Sequence, residues 1–302
     1  MKSSSLHTLN ADKGLSFFEK PLYLFLNWLN NLLSYTNVDK RINFKPLSMN
    51  WKNYLDKTHK ESSMARKLSD LFWWTLPWEK IKNELGEINV FDTGCGSGGY
   101  GVRLIEASNN SINSYTGVDA KEKATWNEFQ SKYKNFKLIK STSNDVSSFI
   151  PKETNLIMTQ SAIEHFDEDL LYFEQIKKFV DSSNKPVLQI HVFPAVSTLP
   201  LYLFHGLRQY NPRNISKITR MFDDHSKITL IPLGGRKGKL LHFRYFTWPV
   251  LILRRFIKPT FNPSEYESEV VKALDKDCKT MNKSPIFWAL IIETRMKERI
   301  FS

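Results

Sequence analysis

Between residues 87 and 193 the chain alternates short apolar runs with longer stretches of helical period. The runs are "EINVFD" (87–92), "SYTGVD" (114–119), "FKLIK" (136–140), "TNLIMTQ" (154–160) and "KPVLQIHVF" (185–193), each bounded by turn residues. Between them lie "AKEKATWNEFQSKY" (120–133) and "DEDLLYFEQIKKFVD" (167–181), the second with apolar residues at 170, 173, 176, 179 and 180, as one helix face requires. Strands separated by such helices predict parallel βαβ units with right-handed crossovers, and hence an open, doubly wound, mostly parallel α/β sheet. Two later runs, "KITLIPL" (227–233) and "FWALIIET" (287–294), bring the expected strand count to seven.

Outside this alternating middle the pattern is less regular. Helical pieces over 51–86 break near Pro77 and close at Gly86. Residues 1–60 read as a helical extension or lid. Residues 61–302 read as the Rossmann-like domain, with an aromatic and basic cap inserted at about 195–285 and placed to cover the ligand edge. Residues 22–33 form an amphipathic helix with Leu22, Leu26, Trp28, Leu29 and Leu32 on one broad side, expected to be a core or partner contact, with a peripheral membrane surface as the alternative.

The formal net charge is +12, and its location is informative: residues 195–260 carry twelve Lys or Arg against two acids, Asp223 and Asp224. That surplus implies an anionic partner without choosing among phosphate, carboxylate, nucleic acid and an acidic membrane. Cys95 and Cys278 are the only cysteines and are far apart, which supports neither a disulfide framework nor a cysteine metal site. A reducing cytoplasm is expected, with the inner face of the membrane as the alternative location that the amphipathic helix leaves open. The N-terminus does not read as a signal peptide.

"FDTGCGSGG" (91–99) sets Gly94, Gly96 and Gly99 in a G-x-G-x-x-G spacing at a strand-to-helix turn, where bare backbone approaches a ligand closely. A dinucleotide satisfies that spacing, and Asp119, twenty residues past Gly99, suits a ribose diol. Asp92 discriminates. A buried carboxylate beside a diphosphate repels it, whereas a ligand carrying an ammonium and a sulfonium and no phosphate is attracted. S-adenosylmethionine has that chemistry.

"VFDTGCGSG" resembles the first motif of the class I S-adenosylmethionine-dependent methyltransferases, with Asp92, Gly94, Gly96 and Gly98 on its acidic and glycine positions; "YTGVDAKEKA" resembles the second strand and "NLIMTQSAIEHF" the fourth strand and its turn. The resemblance covers roughly residues 85–195 and implies an S-adenosylmethionine cofactor held by Asp92, Gly94, Cys95, Gly96, Gly98, Asp119, Ala120 and Gln160. Relatives often carry an acid after the third strand for the adenine amino group. Here "KSTSND" (140–145) offers Asn144 or Asp145, either of which equally suits a helix N-cap.

Methyl transfer from a sulfonium needs alignment, and a hydroxyl acceptor also needs a base. His165 follows the fourth strand at the ligand edge and is the first candidate, although in many relatives this histidine only packs beneath the cofactor. His191 is the second. Arg208, Tyr210, Arg213 and His242 in the cap are candidates for gripping the acceptor. No sequence-local metal-ligand spacing is present, so no metal is expected. These readings converge on a methyltransferase, with O-methylation of an anionic small molecule or of a nucleotide- or lipid-linked saccharide in polysaccharide biosynthesis as the first expectation. An RNA methyltransferase and a non-catalytic S-adenosylmethionine-binding protein are the alternatives.

Overall fold

The computed structural model of the chain describes residues 2–47, 50–142, 145–222, 225–249, 261–278 and 281–301. Its centre is an eight-stranded sheet: β1 (Ile42–Phe44), β2 (Ile88–Thr93), β3 (Ile112–Asp119), β4 (Phe136–Lys140), β5 (Leu156–Gln160), β6 (Val187–Pro194), β7 (Ser226–Leu233) and β8 (Phe287–Thr294), in spatial order β1-β7-β8-β6-β5-β2-β3-β4. All pairings are parallel except those of β8, which lies antiparallel between β6 and β7. From β2 the chain winds outward through β3 to β4, then crosses back to β5 on the other side of β2. Connections therefore diverge between β2 and β5, opening a crevice at their carboxyl ends.

Alternation within the strands feeds two apolar layers. Ile88 and Val90 of β2, Leu156 and Met158 of β5, and Leu188, Ile190 and Val192 of β6 enter one cluster, while Phe91, Ile157, Val187 and Phe193 enter the other. Both faces are covered, which is why these segments read as nearly continuous apolar runs. The helices are α1 (Glu19–Asn31), α2 (Met64–Trp74), α3 (Trp78–Leu85), α4 (Gly99–Ala107), α5 (Thr125–Lys132), α6 (Asp169–Ser182), α7 (Pro212–Thr219), α8 (Arg236–His242) and α9 (Pro263–Asp277). Ser63 caps α2 by accepting from the Arg66 N–H, and Asn262 caps α9.

Two expectations are corrected here. The sheet has eight strands, not seven, because Ile42–Phe44 pairs with Ile228–Leu230 at the edge; three residues are too few for an alternation to register in sequence. The second correction is the orientation of α1. Tyr23, Asn27 and Asn30 are its buried residues, while Leu22, Phe25, Trp28, Leu29 and Leu32 are exposed, with Phe17 and Phe18 each 81% exposed just before it. Hydrogen bonds explain the inversion. Tyr23 OH donates to His205 O at 3.0 Å, Leu6 N–H donates to Asn30 Oδ1 at 3.2 Å, and Arg213 donates to Asn30 O at 2.7 Å. The helix is held by its polar side, and its apolar side is not core.

Candidate active site

The turn after β2 is built from backbone that glycine tolerates best. Gly94, Gly96 and Gly98 have φ of 79°, 56° and 80°, the left-handed region where a Cβ is strained. The turn is tied to its neighbours: Gly94 and Cys95 N–H groups donate to Val118 O at 2.7 and 3.1 Å, and the Trp126 indole donates to Gly96 O at 2.8 Å. Asp119 closes it, accepting from Gly96 N–H and Lys121 N–H at 2.9 Å each. Asp92 lies behind the turn, 1% exposed, with Tyr115 OH donating to Oδ2 at 2.6 Å and Oδ1 left without a partner. Burial, then the charge of Asp119, pushes the Asp92 carboxyl up to about 7, against the Tyr115 hydrogen bond.

Gly94, Cys95 and Gly96 form one wall of a cavity of about 710 Å³ at the β2/β5 crevice. The opposite wall comes from α2 and α4. There Arg66 donates to Tyr100 OH at 2.8 Å, Tyr100 OH donates to Asp70 Oδ1 at 2.8 Å, and Arg103 pairs with the same oxygen at 2.8 Å. Burial raises the Asp70 carboxyl despite Arg103, and the Tyr100 phenol is raised by burial and by Asp70. Arg66 and Arg103 give this wall two cations against the one carboxylate of Asp70, while Asp92 and Asp119 lie behind and beside the glycine turn and do not line the cavity themselves.

The third side is the turn after β5. Ser161, at φ 50°, turns the chain so that Glu164 points inward, fully buried, with Ser161 OH donating to its Oε1 at 2.6 Å. His165 Nε2 stands 3.8 Å from that oxygen, and His205 Nε2, arriving from the cap, stands 3.9 Å from it. The His165 Nδ1–H donates to Asp12 Oδ2 at 2.5 Å, which leaves Nε2 as the ring's lone-pair nitrogen. Burial disfavours the charged form of His165, but the Asp12 hydrogen bond and the nearby carboxylates outweigh it and raise its pKa. Asp12 is correspondingly lowered by its bond to His165, and His205 is lowered by burial, with Glu164 opposing.

The structure brings together only part of the expected site. Gly94, Cys95, Gly96, Gln160 and His165 line the cavity. The Gln160 amide is already engaged, accepting from the Trp73 indole at 2.7 Å and donating to Ser69 at 3.2 Å. Gly98 packs against Phe129 and Leu138, Ala120 is exposed beside Asp119, and Asp145 is an exposed turn residue bonded by Ser148. Asn144 lies outside the described residues.

The second base candidate and the cap candidates are displaced from the cavity. His191 is fully buried within β6, its Nδ1 bonded to Thr159 at 3.0 Å and its ring edge-on to Phe173; burial pushes it down to about 3, so it is a neutral core residue. Arg208 is fully buried and straps the turn after β5, donating to Ile163, Phe166 and Asp167 carbonyls at 2.7 to 3.2 Å and lying 3.5 Å from Asp169. Tyr210 OH donates to Asp169 at 2.7 Å, and Arg213 is spent on α1. His242 is buried behind Tyr202, at 5.0 Å between ring centroids, with its pKa lowered to about 4. None of the four lines the cavity, because an arginine or tyrosine near a chain reversal is as useful for tying down carbonyls as for gripping a ligand.

Sequence reasoning missed Asp12, Glu164, Arg66, Asp70 and Arg103. Glu164 was adjacent to a candidate, but the rest come from the extension or from helices whose ligand-facing side no local motif marks.

No family model matches the chain, and no curated protein matches it. Among solved structures it is similar to an S-adenosylmethionine-dependent methyltransferase from Archaeoglobus fulgidus, at 17% identity and TM-score 0.45 over 81% of this chain and all of the other. It is also similar to the plantazolicin methyltransferase BamL in complex with a triazolic desmethylPZN analog and SAH, at 11% identity and TM-score 0.45 over 81% of this chain and 89% of that one. A third likeness is to the plantazolicin methyltransferase BpumL, at 12% identity and TM-score 0.44 over 92% of this chain and 97% of that one. By its own strand order, with β8 antiparallel and a glycine turn after β2, the chain has a Rossmann-like doubly wound fold.

Proposed function

We propose that the protein is an S-adenosylmethionine-dependent methyltransferase that acts on an oxygen of a small anionic acceptor. The observation that carries the proposal is the left-handed glycine turn, opening onto the cavity and flanked by two acids, one of them a buried carboxylate with an unpartnered oxygen. These features fit the cofactor: Gly94 and Gly96 admit its backbone-hugging portion, Asp119 stands where it would accept hydrogen bonds from a ribose diol, and Asp92 favours positive charge nearby. When bound, S-adenosylmethionine supplies an activated methyl group. The chain aligns the acceptor and draws off its proton, and the groups that line the cavity and can do so are His165 and His205, with Glu164 buried behind them. The cationic wall, rather than the cap arginines, suits an anionic acceptor such as a nucleotide- or lipid-linked sugar in polysaccharide biosynthesis. RNA is disfavoured, since Arg208 and Arg213 are committed within the fold.

His165→Ala is expected to lower methyl transfer at least 100-fold, in the range of a positioned proton-transfer group, while leaving S-adenosylmethionine affinity in titration calorimetry within about threefold. Equal loss of both would place His165 beneath the cofactor instead.

The inverted helix bears on where the protein works. No helix among the described residues is long and apolar enough to cross a membrane. Phe17, Phe18, Phe25, Trp28 and Leu32 are exposed together, on a chain of net charge +12, and this combination fits an anionic bilayer surface at the cytoplasmic side. Co-sedimentation with phosphatidylglycerol vesicles is expected for the full chain and is expected to fall at least tenfold on combining Phe17→Ser, Phe18→Ser and Trp28→Ser. Wild-type protein left in the supernatant, or a dimer that the triple variant dissociates, would refute the membrane reading.

A further inference from the structure

We infer that Glu164, His165 and His205 form a binding site for one first-row divalent cation at the edge of the cavity. The inference rests on the cavity being the catalytic one, and extends that reading from proton removal to the agent that assists it. The donor atoms Glu164 Oε1, His165 Nε2 and His205 Nε2 all lie within 4.8 Å of one another, with the carboxylate oxygen 3.8 and 3.9 Å from the two nitrogens. That spread is a little wider than an ion at bond lengths of about 2.0–2.2 Å would hold them, so a small inward turn of each side chain closes it.

Three further features separate this cluster from an ordinary ion pair. Glu164 is fully buried, with Ser161 bonded to Oε1 and no partner on Oε2, so its charge is only partly met within the fold, a costly state that a cation at the carboxylate offsets. His165 is oriented from behind by Asp12, the carboxylate–histidine arrangement that fixes a ligating ring and strengthens its lone pair. Asp12 is itself positioned, accepting from Gly206 N–H at 3.4 Å beside the residue that carries the other imidazole. Two imidazoles and one carboxylate suit Mn²⁺, Fe²⁺, Co²⁺ or Zn²⁺ rather than Ca²⁺, and three protein ligands leave positions open. Because His165 and His205 also line the cavity, those positions face it. A hydroxyl of the anionic acceptor would occupy one of them, where the ion lowers its pKa; with Nε2 of both imidazoles on the ion, the proton would leave to water and His165 would serve as a ligand rather than as the base. No sequence motif announces the site, since its ligands come from two segments forty residues apart and its orienting acid from a third.

The test uses full-length, untagged protein stripped with a chelator and titrated with Mn²⁺, read by the loss of the free-ion electron paramagnetic resonance signal and by the melting temperature. The expected result is one ion per chain, with a dissociation constant below about 100 μM, a rise in melting temperature, and binding weakened at least tenfold in both Glu164→Gln and His205→Ala. S-adenosylmethionine affinity is expected to stay within threefold in His205→Ala, which also covers the case that Glu164→Gln does not fold. Absence of stoichiometric binding by Mn²⁺, Co²⁺ and Zn²⁺, or binding that His205→Ala leaves unchanged, overturns the site. A wild-type chain that takes the ion but not S-adenosylmethionine would instead overturn the function proposed above and leave the metal site standing.

Discussion

Gly94→Ala is expected to destabilise the protein by about 2–4 kcal/mol and to weaken S-adenosylmethionine binding at least tenfold. Two costs combine. At φ 79° an alanine is in the left-handed region, a strain of roughly 1–3 kcal/mol at most non-glycine positions. A Cβ built there also lies 2.4 Å from the Ala162 Cβ, in the turn that follows β5, so the two loops flanking the crevice must part. Overpacking of that kind costs about 1–3 kcal/mol where the backbone can yield, and here yielding moves both the glycine turn and the segment carrying Glu164 and His165. Gly86→Ala is the control for backbone strain alone: at φ 70° and ψ −119° an alanine is strained too, with nothing within 4 Å of the new Cβ. It should cost about 1–3 kcal/mol and leave ligand affinity unchanged. Adding Ala162→Gly to Gly94→Ala should recover the collision but not the strain. Denaturant unfolding and titration calorimetry on the four proteins decide it. If Gly94→Ala matches Gly86→Ala in both measurements, the close approach of the two loops is not what positions the site.

The sequence made the middle of the fold legible for a physical reason. Strands covered on both faces, such as β2 and β6, must be apolar along their whole length, and the helices between them must carry one apolar stripe, so each element signs itself locally. The glycine turn and its two acids were legible in the same way, because positive φ and a bare backbone demand glycine whatever surrounds them. What escaped were arrangements settled by distant partners. Ile42–Phe44 joins the sheet only because β7 offers a free edge. Of the roles expected for the apolar side of α1, core, partner contact or membrane surface, the fold excludes core, since hydrogen bonds to Asn30 and from Tyr23 reward burial of its polar face. Arg208 and Tyr210 illustrate the same limit: basic and aromatic types near a candidate cavity suggested recognition, yet both satisfy carbonyls and Asp169 inside the fold. His191 looked like an edge residue because it stands near the end of its strand; in the fold β6 runs on to Pro194 and the ring lies inside, edge-on to Phe173.

These errors share a direction. Arg208, Tyr210 and Arg213, assigned to the acceptor, instead tie down the turn after β5 and α1, and the polar groups that line the cavity come from α2, α4, the glycine turn, the turn after β5, His59 of the extension, and Tyr202 and His205 of the cap. The extension is therefore part of the site rather than a cover for it: Asp12 reaches His165, and Ala11 N–H bonds Gly206 O at 2.9 Å beside His205.

Asp92→Asn is expected to stabilise the folded chain above neutral pH while weakening its hold on the cofactor. In the unfolded chain an aspartate loses its proton near pH 4, whereas in the fold burial, then Asp119, holds Asp92 protonated up to about 7. Between those values the folded state binds more protons than the unfolded state, so stability falls as pH rises through that window and then levels off. The full effect of about 4 kcal/mol is an upper bound from a raise of roughly three pKa units. The other groups facing Asp92 do not titrate in that range in a way that offsets this: Tyr115 and the Cys95 thiol are pushed up by burial and by Asp92, and Tyr172 is raised by burial. Asparagine still accepts from Tyr115 and never has to carry a charge. The variant's stability relative to wild type should thus rise by about 2–3 kcal/mol between pH 5 and pH 8 in chemical denaturation. Cofactor affinity should move oppositely. Wild-type affinity for S-adenosylmethionine is expected to rise between pH 6 and pH 8 as Asp92 ionises, and the variant should lose both that rise and at least tenfold in affinity at pH 8, because an amide gives a cation no compensating charge. A variant that binds the cofactor as tightly as wild type at pH 8, or one that binds NAD in its place with wild-type protein doing the same, would mean that the acid behind the glycine turn does not select the ligand.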